Sequence, residues 1–315
     1  MISTVFEASL PIGETLRVQK NRISVGKGKP AAARLSVVTG THGDELEGQY
    51  VCYELARRLN EHPEYLQGIV DSYPALNPLG IDMSARLIPK KDIDLNRCFP
   101  GDAGGQMTER YAAAIVESLA GSDMVLDVHS SDMFTRELPQ VRISREFADR
   151  LLPFAKQMNV DMIWINETDV IHKSTLAHTL NTLGIPTMVV DMGLGIRIHR
   201  DCGNQIVDGI FKLMSEMGIW NGPVPRTQMP VISSDGEVEF IRSNHKGIFL
   251  PAIEHNHYIV PGQIIGSLVN PYTGETYEDI RAKRGGLIFS LRVNPMVYEG
   301  SLLARVLSEK EGEVS

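Results

Sequence analysis

The chain has 315 residues with a formal charge of −8, and 43% of them are hydrophobic and 22% charged. That apolar share excludes a disordered or collagen-like chain, and the acidic balance argues against a nucleic-acid footprint, which needs clustered Lys and Arg. No stretch approaches the roughly 20 apolar residues of a membrane helix, and the opening MISTVFEASLPIGETL lacks the basic-then-apolar order of a signal peptide, so we expect a cytoplasmic protein that acts on small molecules.

In chain order, residues 4–10 and 14–28 alternate loosely and are interrupted by Pro11 and Gly13, which predicts a short antiparallel lead-in. A brief apolar run at 34–38 ends in Thr39-Gly40-Thr41, and from Glu47 the period switches to 3.6, with Val51, Leu55 and Leu59 on one face. The unit repeats as a strand at 69–73, a long loop at 74–107, a helix carrying Tyr111, Ile115 and Leu119, and a strand at 124–128. A helix at 145–158, a strand at 162–165, a helix at 174–183, a strand at 187–190 and a helix at 204–217 follow. Strands alternating with amphipathic helices predict an α/β fold with a mostly parallel sheet covered on both faces.

At Asn221-Gly-Pro-Val-Pro the composition shifts to short β-rich runs at 237–242, 247–251, 258–269, 276–281, 287–293 and 302–306. We expect a domain boundary there, with 1–225 as the α/β domain and 226–315 as a β-rich module. Cys52, Cys98 and Cys202 are too widely spaced for a disulfide framework or a paired-cysteine zinc site and read as free thiols.

Parallel sheets bind ligands beyond the carboxyl ends of their strands. Two such ends here carry polar clusters: His42-Gly43-Asp44-Glu45, and Asp127 with His129, Ser130 and Ser131. Two His and one carboxylate from separate strand ends form the ligand set of a catalytic zinc, with a fourth position left for water. The intervening loop contains Arg86 and then Asp94-Leu95-Asn96-Arg97-Cys98-Phe99-Pro100-Gly101, and it is too long to be idle in a compact domain.

The strings TGTHGDELEG, NPLG, an Arg ten residues before the Asn of DLNRCFPG, and DVHSS resemble the succinylglutamate desuccinylase and aspartoacylase family of zinc amidohydrolases, related in fold to the zinc carboxypeptidases. The likeness runs end to end and includes the tail, which resembles a small barrel-sandwich module that shields the active-site mouth. It implies one zinc per chain held by His42, Glu45 and His129, with Asp94 orienting His42. By the same likeness Arg86 polarises the scissile carbonyl, while Asn96 and Arg97 clamp a substrate carboxylate, a task suited to the guanidinium fork.

The family's general base is a Glu, whereas this chain has Asp191 in Val190-Asp191-Met192-Gly193, one methylene shorter. Asp191 is therefore the candidate base, with Glu167 second in line. His172, His178 and His199 fall outside the metal spacing and read as pocket wall or surface, and His255 and His257 as a polar turn. The implied activity is hydrolysis of the amide of a small N-acylated amino acid or related amine. A metallocarboxypeptidase and a zinc-binding protein that has lost turnover are the rival readings, and the sequence leaves a homo-oligomer open.

Overall fold

The computed structural model describes residues 1–26, 31–167, 173–234 and 237–308. Strands β1 (Ile2–Ser9) and β2 (Thr15–Ser24) form the expected antiparallel lead-in. β3 (Arg34–Thr39) leads into α1 (Glu47–Glu61), and β4 (Ile69–Tyr73) runs parallel to β3. The long connection then holds α2 (Pro78–Met83) and a 3-10 turn at Leu95–Arg97, ahead of α3 (Met107–Leu119). Next come β5 (Met124–Ser130), β6 (Thr135–Ser144), α4 (Ala148–Ala155), β7 (Met162–Asn166), α5 (Leu176–Thr182), β8 (Thr187–Gly193) and α6 (Arg200–Glu216).

After residue 225 the described residues contain strands and no α-helix. They are β9 (Val231–Ser234), β10 (Val238–Arg242), β11 (Gly247–Pro251), β12 (His257–Ile259), β13 (Ile264–Val269), β14 (Thr276–Arg281), β15 (Gly286–Arg292), β16 (Met296–Val297) and β17 (Leu302–Ser308). The fold is thus a mixed α/β sheet protein with a C-terminal antiparallel β module.

The main sheet follows the order β1-β2-β4-β3-β5-β8-β6-β15-β17-β10, with β4, β3, β5 and β8 mutually parallel at its centre. It forks at β6, whose first half pairs antiparallel with β15 and whose second half pairs parallel with β7. The tail's strands β15, β17 and β10 therefore continue the sheet of the α/β segment, while β14-β13-β11-β16 form a second sheet. The two close on a shared core of Phe249, Ile265, Leu268, Ile288, Leu303 and Val306, the arrangement of a sandwich.

Strand alternation sorts the central residues between two helical layers. Met124, Leu126 and Val128 of β5 pack into the core that α1 and α6 cover, while Val125 packs into the core that holds Tyr111, Ile115 and Leu119 of α3 and Leu176 and Leu180 of α5. Asp127 and His129 share the period of Val125, so they lie on the α3 and α5 face. In β8, Met188, Val190 and Met192 belong to the first core, which puts Asp191 on the same face as His129, its partner in the parallel register.

Several boundaries differ from expectation. β6 is absent from the expected strands: it occupies TRELPQVRIS, where Pro139 sits in an irregular register between Glu137 and Gln140 and polar side chains are buried. The helix expected at 145–158 is a 3-10 turn at Arg145–Phe147 followed by the shorter α4. The strand expected at 258–269 divides into β12 and β13 at Pro261-Gly262, where Gly262 adopts a φ of +82°.

Candidate active site

β3 ends at the sheet's carboxyl edge, and its following turn packs against α2 closely enough that only glycine fits. A Cβ on Gly43 would lie 2.0 Å from the carbonyl carbon of Gly80, and the Gly43 N–H donates to the Ala85 carbonyl at 3.1 Å. That contact brings the loop bearing Arg86 against the loop bearing Glu45.

Glu45 is almost fully buried between the two histidines. Its Oε1 lies 2.7 Å from Nδ1 of His42 and 2.8 Å from Nη1 of Arg86. Its Oε2 lies 2.8 Å from Nδ1 of His129 and accepts the Ser130 N–H at 3.2 Å. Candidate ligand atoms of His42, Glu45 and His129 all fall within 4.8 Å of one another.

The outer nitrogen of each imidazole meets a carboxylate: Nε2 of His42 is 3.0 Å from Oδ1 of Asp94, and Nε2 of His129 is 3.2 Å from Oδ1 of Asp127. Asp94 is thus where the sequence places it, and it also accepts the Asn96 N–H at 2.9 Å. On sequence Asp127 stands out only as part of a polar cluster; its position two residues before His129 on one strand is the signal that identifies it.

Electrostatics at this point favour a cation. Burial would raise the Glu45 carboxyl, but His129 and His42 outweigh it and hold it well below the usual range. Burial likewise opposes protonation of His129, yet Asp127 and Glu45 together draw its pKa well above the ordinary value. For Asp94 the burial penalty is overcome by the hydrogen bond with His42, which lowers it to about 2. Three carboxylates converge here on two imidazoles and one guanidinium, and the Asp127 carboxylate has no hydrogen-bond partner among the described residues beyond its ion-pair contact with His129. Two imidazoles, a buried carboxylate and paired outer nitrogens match the donor chemistry of a zinc site.

The cluster lies in the wall of a cavity of about 690 Å³. Arg86, Asn96, Arg97 and Asp191 line it as well, so every candidate site residue reaches one space apart from Asp94, which stands behind His42. Asn96 is buried and its Oδ1 accepts the Leu176 N–H at 2.9 Å, tying the loop to the start of α5. Arg97 is exposed and donates to its neighbour's carbonyl at 2.9 Å. Asp191 is buried, with its Oδ2 3.1 Å from Nη1 of Arg142. Burial pushes the Asp191 carboxyl up and Arg142 partly offsets this.

Other residues separate from the site. Glu167 is exposed and ion-paired with Arg145. His199 caps the buried Glu47, its Nδ1 2.5 Å from Oε1. His178 does line the cavity, whereas His172 lies outside the described residues. The Cys98 thiol, raised by burial, donates to the Asp94 carbonyl at 3.3 Å and meets no activating base among the described residues.

Residues 31–217 match the model of the succinylglutamate desuccinylase/aspartoacylase catalytic domain. The chain is 26% identical over 274 residues to the N-alpha-acetyl-L-2,4-diaminobutyric acid deacetylase of Halomonas elongata, covering 84% of this chain and 79% of that protein. Two solved structures share its fold over nearly the whole length. A succinylglutamate desuccinylase/aspartoacylase from Rhodobacter sphaeroides superposes with a TM-score of 0.82 at 21% identity, covering 98% of this chain and 96% of its own. The product-bound ectoine utilization protein EutE (DoeB) from Ruegeria pomeroyi gives 0.81 at 20% identity, covering 96% and 93%.

Proposed function

Since the chain belongs to the succinylglutamate desuccinylase/aspartoacylase family, we propose that it is a zinc-dependent deacylase that hydrolyses the amide of a small N-acylated amino acid or related N-acyl amine. The observation that carries this reading is the buried Glu45 carboxylate held between Nδ1 of His42 and Nδ1 of His129, in the wall of a cavity that also contains Asp191.

His42, Glu45 and His129 hold the metal, while Asp94 and Asp127 fix the orientation of the two imidazoles. A zinc ion bound there supplies Lewis acidity toward water and the scissile carbonyl. Asp191 accepts a proton from the attacking water and returns it to the leaving nitrogen. Burial raises its affinity for protons above that of a free carboxylate, which is the direction a proton acceptor needs. Arg86, which already reaches Glu45, stabilises the negative charge that develops on the carbonyl oxygen. Asn96 and Arg97 orient the substrate through its carboxylate, with Asn96 offering its amide N–H₂ because its oxygen is taken by Leu176. The segment 226–315 acts as a module that narrows access, and Arg305 from β17 in the cavity wall supports this.

A relative that deacetylates N-α-acetyl-L-2,4-diaminobutyric acid makes acylated diamino acids the first substrates to try. The test is amine release from a panel of N-acetyl and N-succinyl amino acids, N-acetyl-2,4-diaminobutyrate included, beside a ladder of dipeptides. Release from the acylated amino acids supports the reading. Release from the dipeptides alone would identify a carboxypeptidase, and tight binding of an acylated amino acid without release at full zinc content would mean that turnover has been lost.

A further inference from the structure

β6 contributes more to the cavity than any sequence feature suggests. Its alternation points Gln140 and Arg142 to the face opposite Val141 and Ile143, and Gln140 faces Asp191 in the antiparallel register with β8. Arg142 divides its guanidinium between two acids, with Nη1 3.1 Å from Oδ2 of Asp191 and Nη2 2.7 Å from Oε2 of Glu137. Glu137 is 2% exposed, and it also accepts the Gln140 amide at 2.7 Å on Oε2. Its other oxygen receives Arg305 of β17, with Ser290 Oγ at 3.4 Å. Both guanidinium groups lie over the Trp164 ring, at 5.4 Å for Arg142 and 6.0 Å for Arg305.

These side chains form a row of alternating charge, Arg305, Glu137, Arg142 and Asp191, which starts on the last strand and ends inside the candidate active site. Each charge in the row is balanced by its neighbours. Burying such a row without balance would cost several kcal/mol per ion, so its members are held in place by one another. A guanidinium set between two acids, with one nitrogen to each, holds the Asp191 carboxylate at a fixed distance from Glu137. That matters for an acid with one methylene fewer than the family's Glu, because a base displaced by about 1 Å loses roughly a hundredfold in rate.

We propose that Arg142 is a positioning residue for Asp191, held in register by Glu137 and Arg305, so that the C-terminal strand takes part in catalysis through this row. The inference rests on the reading of Asp191 as the proton acceptor. The rival account is a purely structural tie between β6, β8 and β17.

A double-mutant cycle in the full-length protein separates the two, read as amine release from the N-acetyl amino acid panel with N-acetyl-2,4-diaminobutyrate, together with metal content and melting temperature. Asp191→Asn alone should lower kcat by roughly 10²- to 10⁴-fold. Arg142→Met should lower kcat by about 10- to 100-fold with KM within about twofold, and Arg142→Lys should recover part of the loss. In the double variant Arg142→Met with Asp191→Asn, kcat should fall no further than in Asp191→Asn. Losses that multiply in the double variant, or an effect of Arg142→Met on KM alone, would overturn the proposal. Should Arg142→Met fail to fold, Arg305→Met in the same cycle gives the same comparison. A wild type that releases no amine, or Asp191→Asn at full turnover, would instead overturn the reading of Asp191 and the inference with it.

Discussion

Asp127 and His129 stand two residues apart on β5, with the Asp127 carboxylate 3.2 Å from Nε2 of the imidazole. Because side chains two apart project from the same face of a strand, β5 supplies both a candidate ligand and the acid that orients it. Asp94 does the same for His42 at 3.0 Å, but it reaches across from a distant loop. Each acid leaves Nδ1 of its imidazole facing Glu45.

Asp127→Asn should therefore weaken zinc binding by about 10- to 100-fold while leaving the three ligands intact. Competition with a chromophoric chelator measures this directly. Wild-type affinity in that variant would mean that His129 needs no partner.

Arg86 and Arg97 should differ in kinetic signature. A carboxylate clamp acts alike in the ground and transition states, so Arg97→Ala should raise KM more than it lowers kcat. Arg86→Ala removes charge stabilisation that matters chiefly in the transition state and should lower kcat. Steady-state kinetics on an N-acyl amino acid decides, and swapped signatures would exchange the two assignments.

Much of this site is legible in the sequence because its residues follow strand ends and carry local patterns. The turn at His42 to Glu45 follows a strand where periodicity predicts one, the strand expected at 124–128 runs on through His129 to Ser130, and the Asp94-Leu-Asn-Arg loop stands out by its motif. β6 is illegible for the opposite reason. Arg136, Glu137, Pro139, Gln140 and Arg142 carry no strand periodicity, and only pairing with Asp191, Ser290 and Arg305, up to 168 residues away, makes burial tolerable. Glu47 belongs with them: on sequence it is an ordinary first-turn helix acid, whereas in the fold it is fully buried against His199. The return of the tail to the main sheet beside β6 depends on the same long-range pairing, which composition does not encode.

Away from the site, Asp71 of β4 is fully buried and receives Lys20, Arg22 and Arg34. Burial alone would raise its carboxyl, but the hydrogen bond from Arg22 and the neighbouring cations outweigh that and hold it below the usual value. A depressed carboxylate stabilises the fold above its unfolded pKa of about 4, and the contribution fades as pH falls through the lower folded value. Asp71→Asn should cost about 2 kcal/mol at pH 7, since it leaves three half-buried cations short of a charged partner. Denaturant melts across pH test the sign. The gap between variant and wild type should shrink below about pH 4, and a gap that widened on acidification would contradict the argument.

The proposed deacylation depends on one zinc held by His42, Glu45 and His129. Its most direct test is to strip the protein with a chelator and titrate zinc back while following amine release from an N-acyl amino acid. Activity should vanish on stripping, return in proportion to added zinc and level off at about one ion per chain, and the His42→Ala, Glu45→Ala and His129→Ala variants should neither retain zinc nor recover. Full turnover by the stripped protein, or wild-type zinc content in all three variants, would contradict it.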